Sequence, residues 1–330
     1  MGNQDLWNLT SIMRRALDRI RKARLKEERD NILLFGSPRS GTTWLMEILS
    51  ELPGYSSLIE PFNPNWFPEA FHVGIGPREY VKVGSDWYKG RKYLEKVIEG
   101  RMINQKPHFK LRPNTVFKRF LSEKLIIKFV RANRLLPWIV DEFQDIKTIL
   151  VIRHPCAVIN SQLKTNIVGY GSFEGVAENG IPTKKELKEE IKGIDSIDDS
   201  AIDIIEDITQ KEEILAVVWC LDNKIPLVNG PKPNVILTYE NLLVKRYEEL
   251  QKLLSRLDIK FDSLEHFDLD QPSQKTQKED VDKVKKIDQQ LAKWKNNLSK
   301  EQIDNILRIV DFFDINLYDE GLTPLEDDMI

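Results

Sequence analysis

Between Asn31 and Trp44 the chain reads NILLFGSPRSGTTW, and this stretch constrains the fold more than any other. Four apolar residues, Ile32 to Phe35, break at Gly36. After Ser37-Pro38-Arg39-Ser40 and Gly41-Thr42-Thr43 the pattern resumes as helix-like sequence from Trp44 to Leu49. A buried strand that turns tightly into a helix N-terminus makes a phosphate cradle, because successive backbone N–H groups point inward and the helix dipole favours an anion. Gly36 and Gly41 stand at P-loop spacing, but Thr42 occupies the place of the nucleotide triphosphatase lysine. The loop's fixed charge is Arg39 instead.

Four further apolar runs, 55–59, 125–130, 148–152 and 235–239, each end in a polar turn: Glu60-Pro61, Arg131-Ala132-Asn133, Arg153-His154-Pro155 and Glu240-Asn241. Helical patterns follow at 135–143, 156–163 and 244–257, and another occupies 214–227. The repeated strand, turn and helix predicts an α/β fold, a P-loop-type parallel sheet flanked by helices on both faces in three layers. Ligands bind such sheets outside the carboxyl ends of the strands. Every turn-borne candidate lies at such an end.

A length of 330 residues allows one large domain or two small ones. We expect a single domain over 30–325, with an acidic, mainly helical and solvated insertion at about 165–213; an acceptor-recognising lid is the sharper alternative there. A formal net charge of −3 argues against a nucleic-acid partner, which would need a basic surplus. Cys156 and Cys220 sit in apolar settings and read as reduced core thiols of a cytoplasmic protein. No apolar run approaches the ~20 residues that span a bilayer, and no signal-peptide core follows Met1. Residues 1–29 read as a basic amphipathic helix that either lies on an anionic membrane or packs on the domain or a partner subunit, so peripheral membrane contact and a homodimer both stay open. The segment 61–90 is rich in Pro, Gly and aromatic residues; these read as loops over a sugar or ring site, or as ordinary packing.

A P-loop without its lysine needs another account of its anion. Magnesium-bound triphosphate transfer uses that lysine and a strand-end Asp, and no strand here ends in Asp. An anionic leaving group neutralised by Arg39, Thr42 and Thr43, with no metal, fits better. Arg153 and Ser161, eight residues apart across a strand end and the helix after it, suggest a second anion site.

Taken together, GSPRSGTTW, a strand ending in EPF, IRHPCAVINSQ and LTYENL resemble, in this order, the sulfotransferases that use 3′-phosphoadenosine-5′-phosphosulfate (PAPS). The resemblance runs from about Asn31 to the 294–318 segment. It implies that Ser37, Pro38, Arg39, Ser40, Gly41, Thr42 and Thr43 hold the 5′-phosphosulfate, with Arg39 at the bridging oxygen. It also implies that Trp44 and Tyr239 contact the adenine and that Arg153 and Ser161 bind the 3′-phosphate. The catalytic histidine of phenol- and steroid-type members is absent, whereas carbohydrate-type members use a glutamate at the end of the second strand, which Glu60 matches. His108 is the fallback base. Lys128 either faces solvent or an ion pair, or reaches the acceptor or Glu60.

The chain departs from the family's pattern in two further places. His154 stands where relatives usually carry Asn or Asp, and the Arg-Lys-Gly loop that closes over the nucleotide is missing, with Ser273, Lys275 and Thr276 as its replacements. The resemblance implies transfer of a sulfuryl group from PAPS to a hydroxyl of a carbohydrate, glycolipid or other small acceptor, releasing 3′-phosphoadenosine 5′-phosphate (PAP). A metal-dependent P-loop small-molecule kinase and a non-catalytic nucleotide-binding scaffold are the alternatives.

Overall fold

The five apolar runs form five parallel strands: β1 (Ile32–Phe35), β2 (Tyr55–Ile59), β3 (Lys124–Phe129), β4 (Lys147–Ile152) and β5 (Val235–Thr238), in the order β2-β3-β1-β4-β5. The fold is that of a computed structural model, which describes residues 30–76, 78–102, 122–165, 181–260 and 287–325. The expected segment 1–29 and the start of the acidic insertion, 166–180, lie outside the described residues.

Side chains alternate across the sheet. Leu33, Phe35, Ile127, Phe129, Leu150 and Ile152 enter one core; Ile32, Leu34, Ile126, Ile149, Val151 and Leu237 enter another on the opposite face. Both faces are covered, which is why these strands read as nearly unbroken apolar runs. The helices are α1 (Thr42–Leu49), α2 (Tyr88–Ile98), α3 (Leu136–Glu142), α4 (Pro155–Thr165), α5 (Lys184–Ile191), α6 (Ser200–Asp207), α7 (Lys211–Val228), α8 (Tyr239–Val244), α9 (Arg246–Arg256) and α10 (Lys300–Phe312). Short turns of helix also form at Glu69–His72 and Ile287–Leu291. The first core takes in α2, α3, α7 and α10, and the second takes in α1, α8 and α9.

Two helical expectations shift. The helix expected at 244–257 starts two residues later, as α9, because Lys245 (φ −112°) separates it from α8, which ends at Val244. In the described part of the insertion, α5 and α6 bury Leu187, Ile191, Ala201 and Ile205 in the main core, so these helices are docked rather than merely solvated. Glu190 of α5 pairs with Arg78 at 2.6 Å and with Arg134, on the turn after β3, at 2.7 Å.

From β1 the chain runs to β2 at one edge and returns to β3, then crosses β1 to build β4 and β5 on its other side. The order therefore reverses between β1 and β4. The turns leaving those strands, 36–41 and 153–155, flank the crevice that such a reversal opens.

Candidate functional site

The loop after β1 is shaped by close backbone approach. A Cβ on Gly36 would stand 2.6 Å from Ser40 Oγ and Thr42 Cγ2, and one on Gly41 would stand 2.3 Å from the Tyr239 ring. Gly41 runs at φ 92° and Arg39 at φ 78°, a left-handed conformation that costs a non-glycine residue about 1–2 kcal/mol. The Ser40 N–H closes the turn on Ser37 O at 3.0 Å. α1 then starts with no side-chain cap and no acidic residue in its first turn, so its dipole is open to an anion.

Two arginines are laced together over this loop. Arg153 NH1 donates to Arg39 O at 2.9 Å, and Arg39 Nε donates to Ser161 Oγ of α4 at 2.8 Å. The Arg153 guanidinium lies 4.3 Å from the centre of the Tyr239 ring. That ring meets Trp44 edge-on at 6.4 Å, and its hydroxyl accepts Gln290 Nε2 at 2.6 Å. Gln162 of α4 holds Pro38 O at 3.1 Å, and Asn223 of α7 reaches Ser37 Oγ at 3.4 Å. Ser37 through Trp44, Arg153, Ser161 and Tyr239 thus come together in one corner.

His154, which stands where relatives usually carry Asn or Asp, uses its ring at the start of α4. Its Nδ1 accepts the Cys156 N–H at 3.2 Å in the first turn of α4, and its Nε2 lies 2.9 Å from Asp319 O. Cys156 and Cys220 are buried free thiols, and burial pushes Cys156 up to about 12.

At the ends of β2 and β3 the sheet register sets Ile59 beside Lys128. The next residue, Glu60, adopts φ 50° and its N–H donates to Lys128 O at 2.8 Å. Its Oε1 lies 3.1 Å from Lys128 Nζ; its Oε2 lies 3.2 Å from Arg131 NH1 and accepts the Val130 N–H at 3.2 Å. Lys128 also donates to Thr43 Oγ1 at 3.3 Å, which joins the carboxylate to the helix after the loop. Lys128 is 2% exposed and Glu60 3%, so Lys128 faces an ion pair and not solvent. A buried carboxylate is tolerable here because two cations and an amide surround it.

His108, Ser273, Lys275 and Thr276 lie outside the described residues. Sequence reasoning missed Arg131 as a site residue, although its place three residues past Lys128 at a strand end was a usable signal. Asn133, buried on the same turn with neither side-chain atom hydrogen-bonded among the described residues, carried no such signal. Asn223 and Gln290 come from distant helices and could not be found from local pattern. Of the aromatic residues at 61–90, Phe67 is core and Trp87 packs on Trp138, while Phe71 and Tyr88 stay exposed.

Ser40 Oγ, Arg153 Nε and Thr238 Oγ1 are buried with no hydrogen-bond partner among the described residues. Each such group costs about 1–3 kcal/mol unless something pairs with it. Their place beside two arginines and an uncapped helix start suits an anionic ligand. Among the described residues no group of His, Cys, Asp and Glu could hold a metal ion.

The family model of the sulfotransferase domain matches residues 29–321. Among solved structures, the sulfotransferase domain from the curacin biosynthetic pathway is 17% identical, with 86% of this chain and 97% of that one covered at a TM-score of 0.45. The sulfotransferase domain of the Synechococcus PCC 7002 olefin synthase is 16% identical, over 88% and 95% of the two chains, at 0.45. Mouse sulfotransferase SULT7A1 complexed with PAP is 15% identical, over 91% and 90%, at 0.40. No curated protein matches the chain in sequence. The chain belongs to the sulfotransferase family, whose members use PAPS as sulfuryl donor.

Proposed function

We propose that this sulfotransferase binds PAPS in the crevice between β1 and β4 and sulfates a hydroxyl of a carbohydrate or glycolipid, releasing PAP. PAPS supplies an electrophilic sulfur with a phosphate as leaving group. Ser37 to Thr43 cradle the 5′ end, and Arg39 neutralises charge at the leaving oxygen. A preorganised donor at such a point contributes about 3 kcal/mol. Arg153 and Ser161 take the 3′-phosphate; Trp44 and Tyr239 bracket the base.

Glu60 accepts the proton of the acceptor hydroxyl, a role worth roughly a hundred- to ten-thousandfold in rate. Arg131 holds its carboxylate from one side. Lys128 holds it from the other and aligns it with the loop through Thr43. The observation that carries this reading is the buried chain Glu60–Lys128–Thr43, with contacts of 3.1 and 3.3 Å, which joins a carboxylate base to the donor loop. The exposed rings of Phe71 and Tyr88, in the segment that follows Glu60, suit stacking on a sugar.

Incubation with sulfur-labelled PAPS and a panel of glycosides, glycolipids, phenols and steroids tests the proposal. Label should enter the glycosides or glycolipids; label confined to phenols or steroids would overturn the acceptor class.

A further inference from the structure

We propose that His154 is the positioning residue for Arg153: by tying the C-terminal segment to the turn after β4, its ring sets how tightly the protein holds a nucleotide 3′-phosphate. The inference rests on the reading of Arg153 given above. It concerns an affinity, not the transfer step.

The hydrogen bonds fix the state of the ring. The Cys156 N–H can only donate, so Nδ1 accepts it at 3.2 Å and the proton resides on Nε2, which donates to the Asp319 carbonyl at 2.9 Å. Asn or Asp at this position would satisfy the helix start alone. An imidazole has a second nitrogen on the far side of the ring, and here that nitrogen reaches a segment 165 residues away.

The ring is also held by its faces. It stacks on Trp294 at 4.5 Å and 23° and leans on Tyr318 at 4.9 Å. Tyr318 in turn donates to Glu240 Oε2 at 2.7 Å, and Glu240 Oε1 accepts the His154 N–H at 3.1 Å. A closed circuit therefore runs from the His154 ring through Tyr318 and Glu240 back to the His154 backbone. All three residues are buried.

Arg153 immediately precedes this circuit. Its carbonyl is held by the Trp219 indole N–H at 3.0 Å, and its guanidinium is stretched toward Arg39 O and the Tyr239 ring. Guanidinium recognition of phosphate is directional, so a small rotation of the backbone at 153–154 swings the fork away from its target. The adenine and 5′ contacts come from other elements, which Arg153 only buttresses at Arg39 O and the Tyr239 ring, so that rotation costs them less than it costs the 3′-phosphate.

The test measures the affinities of PAP and of adenosine 5′-monophosphate, which lacks the 3′-phosphate, by calorimetry on the full chain. His154→Asn keeps a helix cap and loses the tie to Asp319; His154→Phe keeps the ring stack and loses both hydrogen bonds. Both should weaken PAP about tenfold and leave adenosine 5′-monophosphate within about twofold, so the ratio of the two affinities shrinks about tenfold. A purely structural role would lower both affinities together or neither, and either result overturns the proposal. Should both variants fail to fold, Tyr318→Phe decides: it opens the circuit at Glu240 and should shrink the same ratio about threefold, and an unchanged ratio overturns the proposal. Arg153→Ala serves as the control. If it leaves the ratio unchanged, the assignment of Arg153 to the 3′-phosphate fails; if it collapses the ratio while the His154 variants do not, only the role of His154 fails.

Discussion

On the donor side of the crevice, Arg153 rests against a carbonyl, an aromatic face and a buried glutamate circuit, and its Nε has no hydrogen-bond partner among the described residues. On the other side, Lys128 and Arg131 both lie 3.1–3.2 Å from the carboxylate of Glu60. On our proposal the donor corner takes its anion from outside, whereas the acceptor corner already holds the carboxylate of Glu60. The contrast teaches where each end can be perturbed. Changes on the donor side should show in nucleotide affinity, and changes on the acceptor side in turnover and stability.

The largest expected effect on turnover is that of Glu60→Gln, which removes the proposed base but keeps the shape. Turnover of labelled PAPS should fall by roughly a hundredfold or more, with PAP affinity within about twofold of wild type. Near-normal turnover would move the base elsewhere. Lys128→Met leaves a buried carboxylate one cation short, and breaking a buried pair in this way costs about 3–5 kcal/mol. Chemical denaturation should show that loss, with PAP affinity affected far less; an unchanged denaturation midpoint would mean that the acceptor corner is not internally compensated.

The donor side carries a pH effect of its own. Burial holds His154 down to about 4, below its ordinary 6.5; the Asp319 carbonyl opposes this, and Arg153 and Lys295 add to it. Between these values the unfolded chain binds more protons than the folded one. The contribution of the neutral ring to stability is therefore complete above about 6.5 and is lost as pH falls toward about 4, amounting to about 3 kcal/mol. The thermal midpoint of wild type should drop across that window more steeply than that of His154→Phe, and parallel slopes would contradict the assigned state of the ring. The smallest of these effects belongs to Arg153→Ala. It should weaken PAP by about ten- to hundredfold, the worth of charge-assisted hydrogen bonds, while moving the denaturation midpoint little. A stability loss as large as that of Lys128→Met would erase the contrast between the two corners.

Much of the scaffold was legible in the sequence for one physical reason. Strands covered on both faces must be apolar throughout, so 32–35, 148–152 and 235–238 stood out, and the polar turn after each strand marked the end where ligands bind. Gly36 and Gly41 were legible because close backbone approach admits no other residue there. Lys128 was ambiguous: a lone lysine in an apolar strand can face solvent or a buried charge, and only pairing with β2, which sets Glu60 beside it, resolves the choice. The docking of α5 through Glu190 to Arg78 and Arg134 was hidden, because acidic helices read as solvated until their distant partners are known.

The sequence by itself determined a parallel α/β sheet, an anion loop whose charge is an arginine, and a set of strand-end residues matching those of the sulfotransferases. These depend on backbone geometry and on residues close together in the chain. Only the tertiary structure decided that Arg39 O and Arg153 meet at 2.9 Å, that Lys128 bridges Glu60 and Thr43, and that His154 fastens Asp319 and Tyr318 to the turn after β4. Those contacts join residues up to 165 positions apart. Their partners are selected by sheet order and helix docking, which no local pattern encodes.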